Sequence, residues 1–306
     1  PLMIEEKVMI LPFSTSRLCS AVSVALFVLF TTVSVNANTP YKSATALDQY
    51  GSSPQINNAR LASELHSMPT IAVSAGSSVV IATLERRQLG GISRPKCRII
   101  GKSQDHVLAI MGSGLAGDAA FIERLLRRDV INTWERYDNF PNCHRVAATA
   151  SRIMLAFMGY DDEIQDGTID ILMEENGNGQ ERLSIGRPLA VNLIVTRIDF
   201  QERYGSSELI LVEPSGISTM ISGKALGRGC KRGGELLRQR WNSGMDLQEA
   251  QNTCIGILRD VAKLEQLVKD EDDAGHGNSK EFDIVLEVLD SEGLHVKRIP
   301  FGGRNQ

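Results

Sequence analysis

Residues 107–157 read VLAIMGSGLAGDAAFIERLLRRDVINTWERYDNFPNCHRVAATASRIMLAF, and the order of elements in this stretch decides the fold. Val107–Met111 has the length and composition of a buried strand. Asp118–Tyr137 places Ile122, Leu125, Leu126, Val130 and Trp134 at helical spacing, with the arginines elsewhere on the wheel. Asn142 suits the N-cap of a second helix, where Val146, Ala147, Ala150, Ile153, Met154 and Phe157 form one stripe. Between strand and first helix, Gly112-Ser113-Gly114-Leu115-Ala116-Gly117 fits the G-x-G-x-x-G dinucleotide fingerprint. A dinucleotide fold needs a second buried strand after that helix, ending in an acid that holds the ribose. Here another helix follows, and no strand appears for about 50 residues. The glycines therefore read as a tight strand-to-helix turn. A dinucleotide-binding oxidoreductase using Gly112–Gly117 is an alternative that the element order opposes.

Upstream, Ile71–Val73 and Ser78–Thr83 are short β-rich runs around Ala75-Gly76-Ser77, the pattern of a hairpin. Downstream, strands resume at Leu189–Ile198, Glu208–Glu213 and Ile217–Ser222, the last two joined by a turn at Glu213-Pro214-Ser215-Gly216. Two helices follow, near Gly233–Trp241 and Leu247–Leu267, the second with Asp246 as its cap. Asp283–Leu289 and Leu294–Ile299 form a final hairpin around Ser291-Glu292-Gly293. Helices thus come in pairs between groups of antiparallel strands. That order predicts an α+β fold, a four-layer αββα sandwich of two antiparallel sheets flanked by helix pairs.

The 306 residues are 42% hydrophobic and 23% charged, enough apolar material for a packed core. A net charge of −4 argues against a nucleic-acid binder, which needs a basic face. Aromatic residues at 5% argue against base-stacking platforms. The histidines His66, His106, His144, His276 and His295 are scattered without H-E-x-x-H pairing, and neither G-x-S-x-G nor a Walker A loop occurs. No metal and no cofactor are expected. Gly159–Gly186 is Asp/Glu-rich and reads as an exposed acidic insertion; its acids do not alternate as an EF-hand loop requires. An Arg228/Lys231/Arg232 group can hold an anion at a helix N-terminus or make a subunit salt contact.

Residues 1–37 read as a signal-like leader, with an apolar centre Ala21–Val35 and a small-x-small site at Val35-Asn36-Ala37. The apolar part is shorter than the roughly 20 residues of a membrane span. Residues 38–68, rich in Ser, Thr, Asn and Ala, read as a flexible segment. The folded domain is expected over 69–301, with a tail at 302–306. Beyond Cys19 in the leader, Cys97, Cys143, Cys230 and Cys254 are far apart and read as buried thiols, not as a disulfide framework or a zinc site.

Several segments converge on one family. They are Ser53-Pro54-Gln55 with Arg60-Leu61, Val79-Val80-Ile81-Ala82, and Asp105-His106-Val107 followed by Ser113-Gly114-Leu115 and Asp118. Further along come Arg187-Pro188-Leu189-Ala190-Val191, Glu213-Pro214-Ser215-Gly216 and Ala225-Leu226-Gly227-Arg228-Gly229. In order and spacing the chain resembles the proteasome core-particle (20S) subunits, the α-type more than the β-type, as a divergent relative with an Ntn-hydrolase-like fold. The family's usual Q-V-E-Y-A after R-L is replaced by Ala62-Ser63-Glu64-Leu65-His66.

The resemblance implies a test of chemistry. β-type subunits attack peptides with an N-terminal threonine, whose own α-amine is the base, freed by self-cleavage after a glycine. The matching position is Thr70, which follows Pro69. Where the family has an acid two residues past Ala82 stands Leu84, with Glu85 one step off; the family's lysine falls near Lys96 or Arg98. The expected role is therefore that of a non-catalytic α-type subunit, and a β-type threonine endopeptidase using Thr70 is the alternative. An α-type subunit implies stacked heptameric rings with neighbouring α and β subunits, residues 38–68 as the gating and ring-contact segment, a gated chamber for unfolded protein substrates, and a regulatory ATPase or activator. It also implies ubiquitin-dependent protein catabolism in cytoplasm and nucleus and no nucleic-acid partner. In the family a lysine before the third strand meets the activator's C-terminal carboxylate; Lys96 is the match, with Arg98 as rival. The leader points instead to the secretory route or a complex-plastid compartment, where residues 38–68 would follow the signal.

Overall fold

The computed structural model describes residues 47–87, 95–158, 187–200, 206–265, 267 and 282–301. The signal-like leader, the acidic insertion at 159–186 and the tail at 302–306 lie outside the described residues.

Ten strands form two sheets. The first hairpin is β1 (Thr70–Ala75) and β2 (Ser78–Arg86), paired from Thr70↔Thr83 to Ala75↔Ser78 across a turn at Gly76, where φ is +58°. The last hairpin, β9 (Phe282–Leu289) and β10 (Leu294–Pro300), lies beside β2, and β8 (Gly223–Leu226) closes the other edge. The first sheet therefore runs β10-β9-β2-β1-β8. The second runs β3-β4-β5-β6-β7, built from β3 (Cys97–Lys102), β4 (His106–Gly114), β5 (Val191–Asp199), β6 (Ser206–Val212) and β7 (Ser218–Ile221). Every strand pairing is antiparallel.

Side-chain alternation sorts the core into layers. Ala72, Val79 and Ile81 point inward and meet Val107, Ala109, Met111, Ile194 and Leu211 of the other sheet. Ile71, Val73, Val80 and Ala82 point outward onto α4 (Cys230–Arg240) and α5 (Leu247–Leu264). Leu108, Ile110, Leu193 and Val195 point outward from the second sheet onto α2 (Ala116–Tyr137) and α3 (Cys143–Phe157). The expected αββα sandwich is what forms. Asn142 and Asp246 cap α3 and α5, accepting from the amides of Arg145 and Glu249.

Four elements differ from the sequence reading. Residues 54–65, taken from composition as part of a flexible segment, form helix α1 (Pro54–Leu65). Ser53 caps it, Pro54 pre-sets its first turn, and Ala59 and Ser63 are buried. Strands β3 and β8 are additional, and α4 begins at Cys230, three residues earlier than expected. Cys97, Cys143 and Cys254 are free and buried, and Cys230 is a partly exposed free thiol.

Candidate functional site

Thr70 opens β1 from inside the first sheet, paired with Thr83 on one side and Leu226 on the other. Its side chain is fully buried. The Thr70 hydroxyl donates to the Met68 carbonyl at 3.1 Å, and Thr83 Oγ1 lies 3.3 Å away. Lys96 Nζ donates to Thr70 Oγ1 at 2.9 Å. The residue preceding Thr70 is held too, because the Pro69 carbonyl accepts the Leu84 amide at 3.0 Å.

Lys96 sits where it does because of Glu287. Glu287 faces Ile81 in the β2–β9 register and is 1% exposed. Its carboxylate accepts the amides of Lys96 and Cys97, both at 2.7 Å. It thus ties the beginning of β3, in the second sheet, to β9 in the first. Burial pushes the Glu287 carboxyl up, while those two amides and the charges of Lys96 and Arg98 pull it down; the net direction is upward. Burial lowers the Lys96 amine to about 8, against the opposing pull of Glu287 and Glu85.

A cavity of about 370 Å³ opens beside this cluster, with Met68, Thr83, Glu85, Lys96, Arg98 and Glu123 on its walls. Arg98 makes a 3.9 Å ion pair to Glu123 of α2. Lys96 and Arg98, the two cations singled out in the sequence, therefore share one cavity but have different partners. Leu84 is fully buried in the core, and Glu85 stands half-buried at the rim. Of the fingerprint glycines, Gly112 and Gly114 form another wall.

Those glycines have a packing role. A Cβ at Gly112 would lie 2.9 Å from Ala119 of α2, and one at Gly114, where φ is +154°, 2.2 Å from the Ala190 carbonyl. Strand β4 runs antiparallel to both neighbours, so the turn does not belong to a parallel βαβ unit. Next to it Asp118, in the first turn of α2, accepts two hydrogen bonds from Arg187 at 2.9 and 2.7 Å and one from the Ala190 amide at 2.8 Å. Burial acts to raise the Asp118 carboxyl, but the Arg187 and Ala190 donors outweigh it and hold it below the usual range. This clamp joins two of the segments that carried the family resemblance.

Glu287 escaped the sequence reading. Its signal was an acid inside an apolar run, Ile284-Val285-Leu286-Glu287-Val288-Leu289. A buried acid at such a place needs donors, but the amides it finds lie at the start of a strand of the other sheet, 190 residues away in sequence for Cys97.

No protein-family model matches the chain. A curated relative, the proteasome subunit alpha type-5 of Trypanosoma brucei brucei, is 25% identical over 165 residues, 54% of this chain and 58% of that protein. Over those 165 residues the chain shows distant homology to that α-type subunit. The match spans little more than half of the length of that α-type relative, at 58%. The α-type relationship and the two-sheet sandwich agree with each other.

Proposed function

We propose that the chain is a non-catalytic structural α-type subunit of a proteasome core particle. It would share an outer ring with neighbouring α subunits, stack on β subunits, restrict access of unfolded protein substrates to the chamber, and receive a regulatory ATPase or activator. The observation that carries this reading is the state of Thr70. Its nitrogen is an amide joined to Pro69, whose carbonyl is bonded into the sheet. Its hydroxyl proton goes to a main-chain carbonyl, which is no base. Freeing a threonine's own amine for proton transfer takes self-cleavage after a glycine in the β-type pattern, and Pro69 stands at that place. N-terminal sequencing and native mass measurement of the assembled particle test this: a ring-sized assembly whose copy of the chain still carries Pro69 ahead of Thr70 is expected. A terminus at Thr70 on an active particle would overturn it.

Under the same reading the cavity beside Lys96 is the activator-tail pocket. A peptide carboxylate entering it meets Lys96, held by a hydroxyl, and Arg98, held by a loose ion pair. Substituting each with Ala and measuring activator-stimulated peptide hydrolysis separates the two. The compartment we propose is cytoplasm and nucleus, as for the family. Imaging a tagged full-length copy tests this, with a secretory or plastid-associated signal as the contrary outcome.

One observation favours the second reading, a β-type threonine peptidase. The 2.9 Å contact from Lys96 Nζ to Thr70 Oγ1 is what a threonine nucleophile would need from its lysine. Peptide turnover lost on Thr70→Ala would establish it.

A further inference from the structure

A second cavity, of about 500 Å³, lies on the other side of the Gly227 turn, between α1, β8 and α4. Four cations from these three elements converge on it: Arg60 of α1, Lys224 of β8, and Lys231 and Arg238 of α4. Among the described residues, none of the four side chains is in a hydrogen bond or ion pair. That sets them apart from their neighbours. Arg228 donates to the Leu65 carbonyl at 2.9 Å, Arg232 pairs with Glu235 at 2.7 Å, and Arg240 pairs with Asp260 at 2.7 Å. The trio Arg228/Lys231/Arg232 is therefore dispersed by folding. Lys231 alone is left over, and it joins a different basic group assembled by tertiary structure.

Two further features point the same way. Trp241, also on the wall, holds its indole Nε1 out of solvent without an acceptor. A buried N–H of this kind costs stability unless something accepts it. Helix α4 opens from Gly229, in the left-handed region at φ +71°, with no side-chain cap. The positive end of the helix is left uncapped beside the basic group. Two acids, Glu64 and Glu213, also line the cavity, so the lining carries four positive charges against two negative. Glu64 lies close enough to Cys230 to raise its thiol pKa, after burial itself. Lone like charges brought this close repel one another, and an anion with several oxygens relieves that repulsion.

We infer that this cavity binds a small, multiply charged phosphate compound, with Lys224 and Lys231 as its principal contacts and Arg60 and Arg238 closing over it. The inference stands apart from the assignment to a proteasome ring, since it uses neither the Thr70 cluster nor any subunit contact. Lys224 is the half-buried member of the four, so its charge is the least screened by water.

Titration of the assembled full chain with inorganic pyrophosphate, at fixed ionic strength and with chloride as the compensating ion, tests the inference by calorimetry. Saturable binding is expected. It should weaken at least tenfold in Lys224→Met with Lys231→Gln, and stay within twofold in Arg232→Gln, which changes a paired arginine outside the cavity. Thermal melts of each variant without ligand confirm that it is folded. Single substitutions, read in the same way, serve if the double variant does not fold. No saturable binding, or equal loss in Arg232→Gln, overturns the proposal. So does a result in which the Lys224 and Lys231 changes break up the assembly while leaving pyrophosphate binding intact, because the basic group would then serve an acidic neighbour.

Discussion

Lys96 Nζ donates to Thr70 Oγ1 at 2.9 Å, and among the described residues no carboxylate lies within ion-pairing distance of that ammonium. The carboxylate that faces this lysine, Glu287, is engaged by main-chain amides instead. A buried cation whose one direct partner among the described residues is a hydroxyl is held at a cost, and burial takes its pKa to about 8 against the pull of Glu287 and Glu85.

The sign of the resulting pH dependence is fixed. A lysine whose folded pKa is depressed lets the unfolded chain bind more protons between about 8 and its ordinary value near 10.4. Its destabilising contribution is therefore full below pH 8 and fades as pH rises through that window. Lys96→Met should raise stability at pH 7 by about 1–3 kcal/mol, and the difference from wild type should vanish near pH 10.5. Denaturant unfolding of both proteins at the two pH values checks this; a variant less stable at pH 7 would contradict it.

Asp118 gives the opposite slope. Its carboxyl is held low by Arg187 and the Ala190 amide, so its contribution is present above pH 4 and is lost as pH falls through the folded pKa. Arg187 is 48% exposed, so the pair is partly screened. Asp118→Ala, which orphans the Ala190 amide as well, should cost about 2–3 kcal/mol at pH 7. Asp118→Asn should cost less, and its deficit should shrink toward pH 3 in urea titrations.

Gly114 and Gly117 separate packing from propensity within one motif. Gly114→Ala drives a Cβ into the Ala190 carbonyl from a backbone that L side chains rarely adopt, and should cost about 3 kcal/mol or more. Gly117→Ala meets nothing within 4 Å in the first turn of α2 and should stabilise by about 0.5–1 kcal/mol. Thermal melts of the two variants should shift in opposite directions.

Glu287→Ala should free two amides. With Lys96 N–H and Cys97 N–H left without acceptors, global stability should fall by about 2–3 kcal/mol. Hydrogen exchange should speed up first at Lys96 and Cys97, at the junction between the sheets, and much less in α3.

The layered fold was legible because its long elements are strongly periodic. Helices α2, α3 and α5 and both hairpins follow from their apolar spacing and their caps. The missed pieces lacked that periodicity. β3 carries a register shift between Ile99 and Gly101, which breaks the alternation a strand is known by. β8 has four residues directly after β7. α1 is mostly polar, and its readable signal was the Ser53-Pro54 start. At the site, Thr70 and Lys96 were found one at a time, through family resemblance. Their contact, and the part played by Glu287, exist only once the first and last hairpins have paired.

That pairing has a consequence for biogenesis. The second sheet takes its strands from one continuous span of chain, β3 to β7, in sequence order. In the first sheet, β1 and β2 must wait for β8, β9 and β10, the last of which ends at Pro300. During synthesis the early hairpin therefore emerges with both edges bare, and it stays so until the C-terminal strands leave the ribosome. One half of the sandwich can assemble on the nascent chain before β8, β9 and β10 are made, while the half that holds Thr70 closes only once those strands have emerged.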